Sequence, residues 1–186
     1  MEYKTDKVFN NLIFEYEVLF EDYKDSNINI LEIGTYRGGF LFWLVDFFPN
    51  AQIIGGDIKI PRNLESLLKY SDRIKFHQLD QNNSESLKNV AKIYNKFDII
   101  IDDGCHQLQP TRNTFETLWE DVKPNGLYII EDFLVGYKRN RRFEGMVNLI
   151  TDIMLKKNAL NISDYGVIFK MPKCSLAYFK KENNNL

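Results

Sequence analysis

The chain is poor in the residues that build several common kinds of site. Its 186 residues include two cysteines, Cys105 and Cys174, and two histidines. Two cysteines this far apart supply neither a disulfide framework nor a cysteine-based zinc site, so we predict free thiols. The 24 Lys and Arg and 26 Asp and Glu give a net charge of −2. Such a balance disfavours binding of nucleic acid or of an anionic membrane through overall basic charge.

Long apolar runs are also absent. The longest extends from Phe40 to Val45, six residues, whereas a membrane-spanning helix needs about 20. The first residues show no basic segment followed by an apolar one, so we predict no secretion signal and a cytoplasmic location. With 44% apolar residues, the composition fits one globular domain over residues 1–181, followed by a disordered tail at 182–186.

The central part of the sequence alternates between two kinds of segment. Short runs rich in β-branched and other apolar residues are separated by stretches with helical spacing of apolar residues. Strand, helix, strand, helix in this order indicates a parallel sheet covered by helices. The predicted strands are 28–33, 52–57, 73–79, 97–102 and 127–132, and the predicted helices are 38–48, 62–70, 84–94 and 109–122.

The two ends of the chain complete this fold. Residues 6–24 have the apolar spacing of one amphipathic helix, and a last helix has an apolar face around Met146 and Ile150. Tyr165–Met171 and Ser175–Lys180 read as a hairpin. We therefore predict an α/β fold: a doubly wound, mostly parallel, seven-stranded Rossmann-like sheet with a C-terminal antiparallel hairpin. A turn at 123–126, Lys-Pro-Asn-Gly, precedes its fifth strand.

Carboxylates recur where these strands end. In an open α/β sheet, ligands bind outside the carboxyl ends of the strands. Acids after strands also cap the helices that follow, which accounts for single acids more readily than for two adjacent pairs. The acids at the strand ends are Glu32, Asp57, Asp80, Asp102 with Asp103, and Glu131 with Asp132.

A glycine-bearing turn follows the first strand. Gly34 permits a tight turn, and Gly38 lets a ligand approach the backbone at a helix N-terminus. The spacing Gly-x-x-x-Gly-Gly lacks the second glycine of the dinucleotide-binding pattern, which disfavours a nicotinamide cofactor. Asp57, 23 residues after Gly34, stands where a carboxylate can accept hydrogen bonds from both hydroxyls of a ribose.

These residues resemble the class I S-adenosylmethionine-dependent methyltransferases. The segment Glu32-Ile-Gly-Thr-Tyr-Arg-Gly38 is similar to their first motif, and Asp57 to their ribose-binding acid. The resemblance implies an S-adenosylmethionine site formed near Glu32, Gly34, Tyr36 and Gly38. It also places Asp80 and Gln81 near the adenine, while Asp102 faces the cofactor or the loop backbone.

The two acid pairs point to a cation. Asp103 and the Glu131-Asp132 pair end neighbouring strands, and no Lys or Arg stands near them in sequence. Three carboxylates repel one another unless a cation neutralises them, and oxygen ligands suit Mg²⁺. The pattern is similar to the Mg-dependent sugar O-methyltransferases of macrolide biosynthesis and to the cephalosporin-hydroxylase-like group. That resemblance implies that Asp103, Glu131 and Asp132 hold Mg²⁺ and that His106 is the catalytic base.

The hypothesis is thus an O-methyltransferase acting on a hydroxyl of a sugar or another small molecule. A catechol-type O-methyltransferase is the alternative within the fold, although that group typically has Asn where this chain has Asp132. Two alternatives from other functional classes are a nicotinamide-dependent oxidoreductase and a non-catalytic nucleoside-binding module. His77 is interpreted as a packing residue. The basic segment 136–142 is either a solvated face or a clamp for an anionic group, and a second copy of the chain could complete an open acceptor pocket.

Overall fold

The fold was obtained as a computed structural model, which describes residues 3–134, 145–170 and 174–183. Within these ranges seven strands form one sheet in the order β3-β2-β1-β4-β5-β7-β6. The first five strands pair in parallel, while β7 is antiparallel to both β5 and β6. The predicted fold class is therefore confirmed. The strands are β1 Asn29–Ile33, β2 Gln52–Asp57, β3 Ile74–Gln78, β4 Phe97–Asp102, β5 Val122–Glu131, β6 Ile162–Lys170 and β7 Cys174–Lys181.

Helices cover both faces of the sheet. Alternate residues of one strand enter different core clusters: Leu31 joins the cluster with residues of the later helices, and Ile30 joins the cluster with residues of the earlier ones. None of the helices within the described ranges has the length and apolar character needed to cross a bilayer. The helices are α1 Asp6–Phe9, α2 Ile13–Phe20, α3 Gly39–Phe47, α4 Leu64–Tyr70, α5 Ser84–Tyr94, α6 Leu108–Leu118 and α7 Gly145–Leu155.

The N-terminal region differs from the single helix expected over 6–24. It forms α1 and α2, and the break between them falls at Asn11, whose φ is +55°. Asparagine tolerates this left-handed conformation better than most residues, which explains why the helix stops there. As a result Phe9, expected on the buried face, is 76% exposed. Tyr16 and Phe20 of the expected face are buried, and their rings pack at a tilt against Phe40 and Phe48 of the α3 region.

The turn expected at 123–126 is also different. These residues lie inside β5, which starts at Val122 rather than near residue 127. The pairing with β4 nevertheless jumps there, since Phe97 pairs with Val122 and Ile99 pairs with Leu127. Asn125 has φ +62°, so the turn-forming residues make a bulge in a continuous strand. The expected disordered tail falls partly outside the described residues.

Candidate active site at the strand ends

One cavity lies along the carboxyl ends of the parallel strands. Its volume is about 570 Å³, and Lys4–Lys7 of the N-terminal segment form part of its wall. Most of the predicted site residues line it, whereas Gly38, Asp102 and Glu131 do not. The predicted residues brought together in this wall are Glu32, Gly34, Tyr36, Asp57, Asp80, Gln81, Asp103, His106 and Asp132.

The glycine turn after β1 is built by backbone geometry. Gly34 has φ +93°, and its amide donates to the Gly56 carbonyl at 2.8 Å. A Cβ on Gly34 would lie 2.0 Å from the backbone oxygen of Asp103. Only glycine therefore allows this turn to sit against the loop after β4. Gly38, at φ +72°, is the N-cap of α3 and places the N-terminus of that helix beside the turn.

Asp57 and Asp80 bind the backbone of their own surroundings. Asp57 Oδ2 accepts from the Tyr36 amide at 2.8 Å, and its Oδ1 accepts from the Lys59 amide at 3.0 Å. Asp80 Oδ1 accepts from the Asn82 amide at 2.9 Å. We call the turn 34–39 with Asp57 and Asp80 the cofactor half of the site.

Glu32 is the one acid of β1 and is almost completely buried, with 2% of its surface exposed. Its Oε2 has no hydrogen-bond partner among the described residues. Burial raises the pKa of the Glu32 carboxyl to about 8, although the nearby Lys7 charge acts in the opposite direction. An unpaired buried carboxyl oxygen in the cavity wall is suited to a cationic or hydrogen-bond-donating ligand group.

Gln81 and Asp102 hold the loop after β4 in place. Gln81 Nε2 donates to Asp102 Oδ1 at 2.7 Å, and Gln81 Oε1 accepts from the Cys105 amide at 2.9 Å. Burial raises the pKa of Asp102 to about 7. The Asp102 side chain is thus directed towards the loop backbone, one of the two orientations expected for it, and away from the cavity.

The second acid cluster forms where β4 and β5 end. The register pairs Asp102 with Ile130, so the next residues along the two strands, Asp103 and Glu131, come close together. Burial, with the charge of Asp103, raises the pKa of Glu131 well above its usual value and that of Asp132 to about 6. We call Asp103, His106, Glu131 and Asp132 the acidic half of the site.

Two residues from the N-terminal helices enter the acidic half, and sequence reasoning missed both. Lys7 Nζ lies 2.5 Å from Asp103 Oδ2 and 3.2 Å from Glu131 Oε1, and the Tyr16 hydroxyl donates to the same Glu131 oxygen. Burial lowers the pKa of Lys7, but Asp103 and Glu131 outweigh it and hold that pKa well above its usual value. Apolar periodicity identified the α2 face that carries Tyr16, but no pattern distinguished Lys7 from a surface lysine.

The acidic half also offers a ligand set for a divalent ion. One ligand atom from each of Asp103, His106 and Asp132 lies within 4.8 Å of the other two. Asp132 Oδ1 is buried and has no hydrogen-bond partner among the described residues. Carboxylate oxygens suit a magnesium ion, so Asp103 and Asp132 fit the metal that the sequence resemblance implies, and the His106 ring lies beside them.

The backbone is strained at three positions of the cavity wall. Tyr36, His106 and Asp132 have φ values of +50°, +53° and +52°, a region that residues other than glycine and asparagine rarely adopt. Such strain persists only where the surrounding structure enforces it, and it concentrates at functional sites. The His106 Nε2 atom lies 3.8 Å from Asp103 Oδ1.

His77 does not line this cavity. His77 Nε2 is 2.7 Å from the Tyr94 hydroxyl, in agreement with a packing role. Cys105 and Cys174 are free thiols, as predicted. The basic segment 136–142 lies outside the described residues.

Comparison with known proteins adds an independent line of evidence. The family described as "Methyltransferase domain" matches residues 31–133. The mycinamicin VI 2''-O-methyltransferase of Micromonospora griseorubida is 39% identical over 129 residues, which are 66% of this chain and 31% of that protein. The demethylmacrocin O-methyltransferase of Streptomyces fradiae is 35% identical over the same share of both chains.

A solved structure agrees with these relatives. The MycE methyltransferase from the mycinamycin biosynthetic pathway, in complex with Mg and SAH, superimposes with a TM-score of 0.78 at 28% identity. The match covers 92% of this chain and 48% of that one. The chain thus spans about a third of the length of the curated relatives, at 31%, and about half of the solved structure.

Proposed function

The chain belongs to this methyltransferase domain family, and from that premise we propose that it is an S-adenosylmethionine-dependent, Mg²⁺-dependent O-methyltransferase of a sugar or other small-molecule hydroxyl. One observation carries the proposal: a single cavity brings the glycine turn and Asp57 together with Asp103, His106 and Asp132. This arrangement supports a nucleoside-cofactor site next to a divalent-ion site.

The cofactor half supplies binding and orientation. Asp57 is fixed by two backbone amides, so its carboxylate is preorganised to accept from vicinal ribose hydroxyls. The unpaired Glu32 oxygen would accept from the amino group of the cofactor's amino-acid end. Asp80 and Gln81 would lie near the adenine, with Gln81 acting through the loop that it holds.

The acidic half supplies the chemistry at the acceptor. Asp103 and Asp132, with Glu131 as the third predicted ligand, would hold the ion. When bound, S-adenosylmethionine supplies the methyl group and Mg²⁺ supplies positive charge that lowers the pKa of the acceptor hydroxyl. His106 Nε2 takes the hydroxyl proton, and Asp103 beside it stabilises the resulting imidazolium. The cavity wall would align the reacting groups, and alignment is a main source of acceleration in a methyl displacement.

Asp132 favours a sugar-type acceptor over a catechol. The catechol-type group typically has Asn at this position, and the relatives reported above are named as O-methyltransferases of mycinamicin VI and demethylmacrocin. The glycine spacing of 34–39 disfavours a nicotinamide cofactor. A small-molecule acceptor, and a second copy of the chain to complete the pocket, remain our predictions for its partners.

The proposal is tested by calorimetric titration with S-adenosylhomocysteine, with and without Mg²⁺, using NAD⁺ as the control ligand. We expect S-adenosylhomocysteine to bind and NAD⁺ not to bind. Macrolide glycosides with adjacent free sugar hydroxyls and simple catechols are then compared as acceptors by release of S-adenosylhomocysteine. Binding of NAD⁺ alone would contradict the cofactor assignment, and methylation of catechols alone would contradict the acceptor assignment.

A further inference from the structure

A buried lysine already occupies part of the acidic half. Lys7 is 3% exposed, and its ammonium forms ion pairs with Asp103 and Glu131 at 2.5 and 3.2 Å. It also lies 4.7 Å from the centre of the Phe40 ring, so that its open side is covered by an aromatic face. Lysines are almost never fully buried unless they are paired, so we count the charge of Lys7 as part of the acidic half.

The two lysine contacts leave other carboxylate oxygens available. Lys7 uses Asp103 Oδ2 and Glu131 Oε1. On the opposite side, Asp103 Oδ1 faces His106 at 3.8 Å, and Asp132 Oδ1 is buried without a partner among the described residues. The lysine and the predicted ion therefore do not need the same oxygen atoms.

Charge counting agrees with this division. When ionised, Asp103, Glu131 and Asp132 carry three negative charges, of which Lys7 balances one. The two that remain match one divalent ion. A divalent ion without Lys7 leaves one buried negative charge unbalanced, which is costly in a site of low dielectric.

The segment that carries Lys7 is anchored. The carbonyl oxygen of Lys4 packs so tightly on Gly39 that a Cβ there would lie 2.2 Å from it, and the Leu12 amide donates to the Lys7 carbonyl at 2.9 Å. Leu12 itself is 1% exposed. These contacts hold the backbone of Lys7 in place, and withdrawal of its side chain from the acids would leave an ammonium-sized gap beside Phe40.

From this geometry we infer that Lys7 is a permanent counter-cation of the acidic half: it stays on Asp103 Oδ2 and Glu131 Oε1 while a divalent ion binds the opposite oxygens. Lys7 is then a positioning residue, because it fixes the carboxylates and sets the net charge that the ion meets. This inference rests on the ion of the proposed function.

The first test follows the lysine directly in the unaltered chain. The protein is acetylated with an amine-reactive ester, with and without saturating Mn²⁺, and the modified lysines are identified by mass spectrometry. Lys4, exposed in the same segment, is the internal control and should be modified in both samples. We expect Lys7 to stay unmodified in both, and its modification on addition of Mn²⁺ would overturn the inference.

The second test measures the charge that the ion meets. Lys7→Met keeps the length of the side chain and removes its charge, so Mn²⁺ should bind about tenfold more tightly by calorimetry, since a unit charge a few Å from a divalent ion repels it by this order even in water. Lys7→Arg should restore the affinity of the unaltered chain, and Lys88→Met, at an exposed position of α5 outside the cavity, should leave it unchanged. Equal affinity in Lys7→Met and the unaltered chain would overturn the inference.

Two further outcomes are distinguishable. Binding of Mn²⁺ by Lys7→Met but not by the unaltered chain would mean that the lysine replaces the ion, which also overturns the inference. Absence of binding in both would remove the ion from the proposed function as well. Binding of S-adenosylhomocysteine, which needs neither Lys7 nor the ion, then decides whether the methyltransferase proposal itself has failed.

Discussion

The cofactor half and the acidic half of the site use the same residue type in different ways. In the cofactor half, Asp57 and Asp80 accept hydrogen bonds from backbone amides no more than 21 residues away in sequence. In the acidic half, Asp103 and Glu131 are paired with Lys7 and Tyr16, the latter 115 residues from Glu131. Backbone bonds satisfy the first set of carboxylates, whereas the second set remains short of positive charge.

This difference separates binding from chemistry. Carboxylates already satisfied by amides are rigid acceptors, which suits recognition of a ribose. Carboxylates that are crowded, buried and incompletely balanced, as the raised pKa values of Glu131 and Asp132 show, are suited to hold a cation and act on a proton. Substitutions in the acidic half should therefore leave cofactor binding intact, and substitutions in the cofactor half should leave ion binding intact.

The largest effect is expected at His106. His106→Ala removes the proposed base, so methyl transfer to any acceptor that the unaltered chain accepts should fall by about 100- to 10,000-fold. The affinity for S-adenosylhomocysteine should stay the same, because the cofactor half is intact. His77→Ala is the matched control, since His77 contacts Tyr94 and should retain turnover. Unchanged turnover in His106→Ala would refute the assigned role.

The junction of the two halves is the next most sensitive point. Gly34→Ala places a Cβ 2.0 Å from the Asp103 carbonyl oxygen and forces alanine to φ +93°. We expect a loss of about 3 kcal/mol or more in the free energy of unfolding, measured by thermal or urea unfolding. Gly56→Ala meets the flexible end of Leu79 at 3.2 Å and should cost clearly less. Equal losses would show that the junction is looser than described.

A smaller and more local effect is expected at Asp57. Asp57→Asn keeps one acceptor oxygen, but its NH₂ group replaces the other oxygen and cannot accept from the backbone N–H of Tyr36 or Lys59. S-adenosylhomocysteine should bind about 10- to 100-fold more weakly, the loss expected for hydrogen bonds to a charged group. Asp132→Asn, in the acidic half, should bind it as tightly as the unaltered chain. A comparable loss in both variants would mean that the two halves are one coupled unit.

The sequence predicts the cofactor half better than the acidic half, because local patterns determine the first and contacts between distant residues determine the second. The strands, Gly34 and Asp57 depend on local patterns of apolar residues, glycines and acids, which the sequence displays. The contact of Lys7 with Asp103 and Glu131 depends on how α1 is placed over the finished sheet, and periodicity contains no information on that. The break at Asn11 is what brings this lysine inward, and the predicted single helix concealed it.

The last prediction concerns Glu32, which lies between the two halves. Its pKa in the folded chain is raised to about 8 from 4.5 by burial, so the folded state binds the proton more tightly than the unfolded state. Its contribution favours folding at low pH and is lost as the pH rises from about 4.5 to 8. Glu32→Gln removes that dependence, so relative to the unaltered chain its melting temperature should rise by about 3 °C or more between pH 5 and pH 8.

Glu182→Gln, at an exposed position, is the control and should follow the unaltered chain at every pH. If Glu32→Gln also runs parallel to the unaltered chain, Glu32 is ionised across this range and the Lys7 charge outweighs its burial. Glu32 would then be a fourth carboxylate balanced by the same lysine. In that case Glu32 would belong to the acidic half, whose four negative charges would exceed the three positive charges of one lysine and one divalent ion.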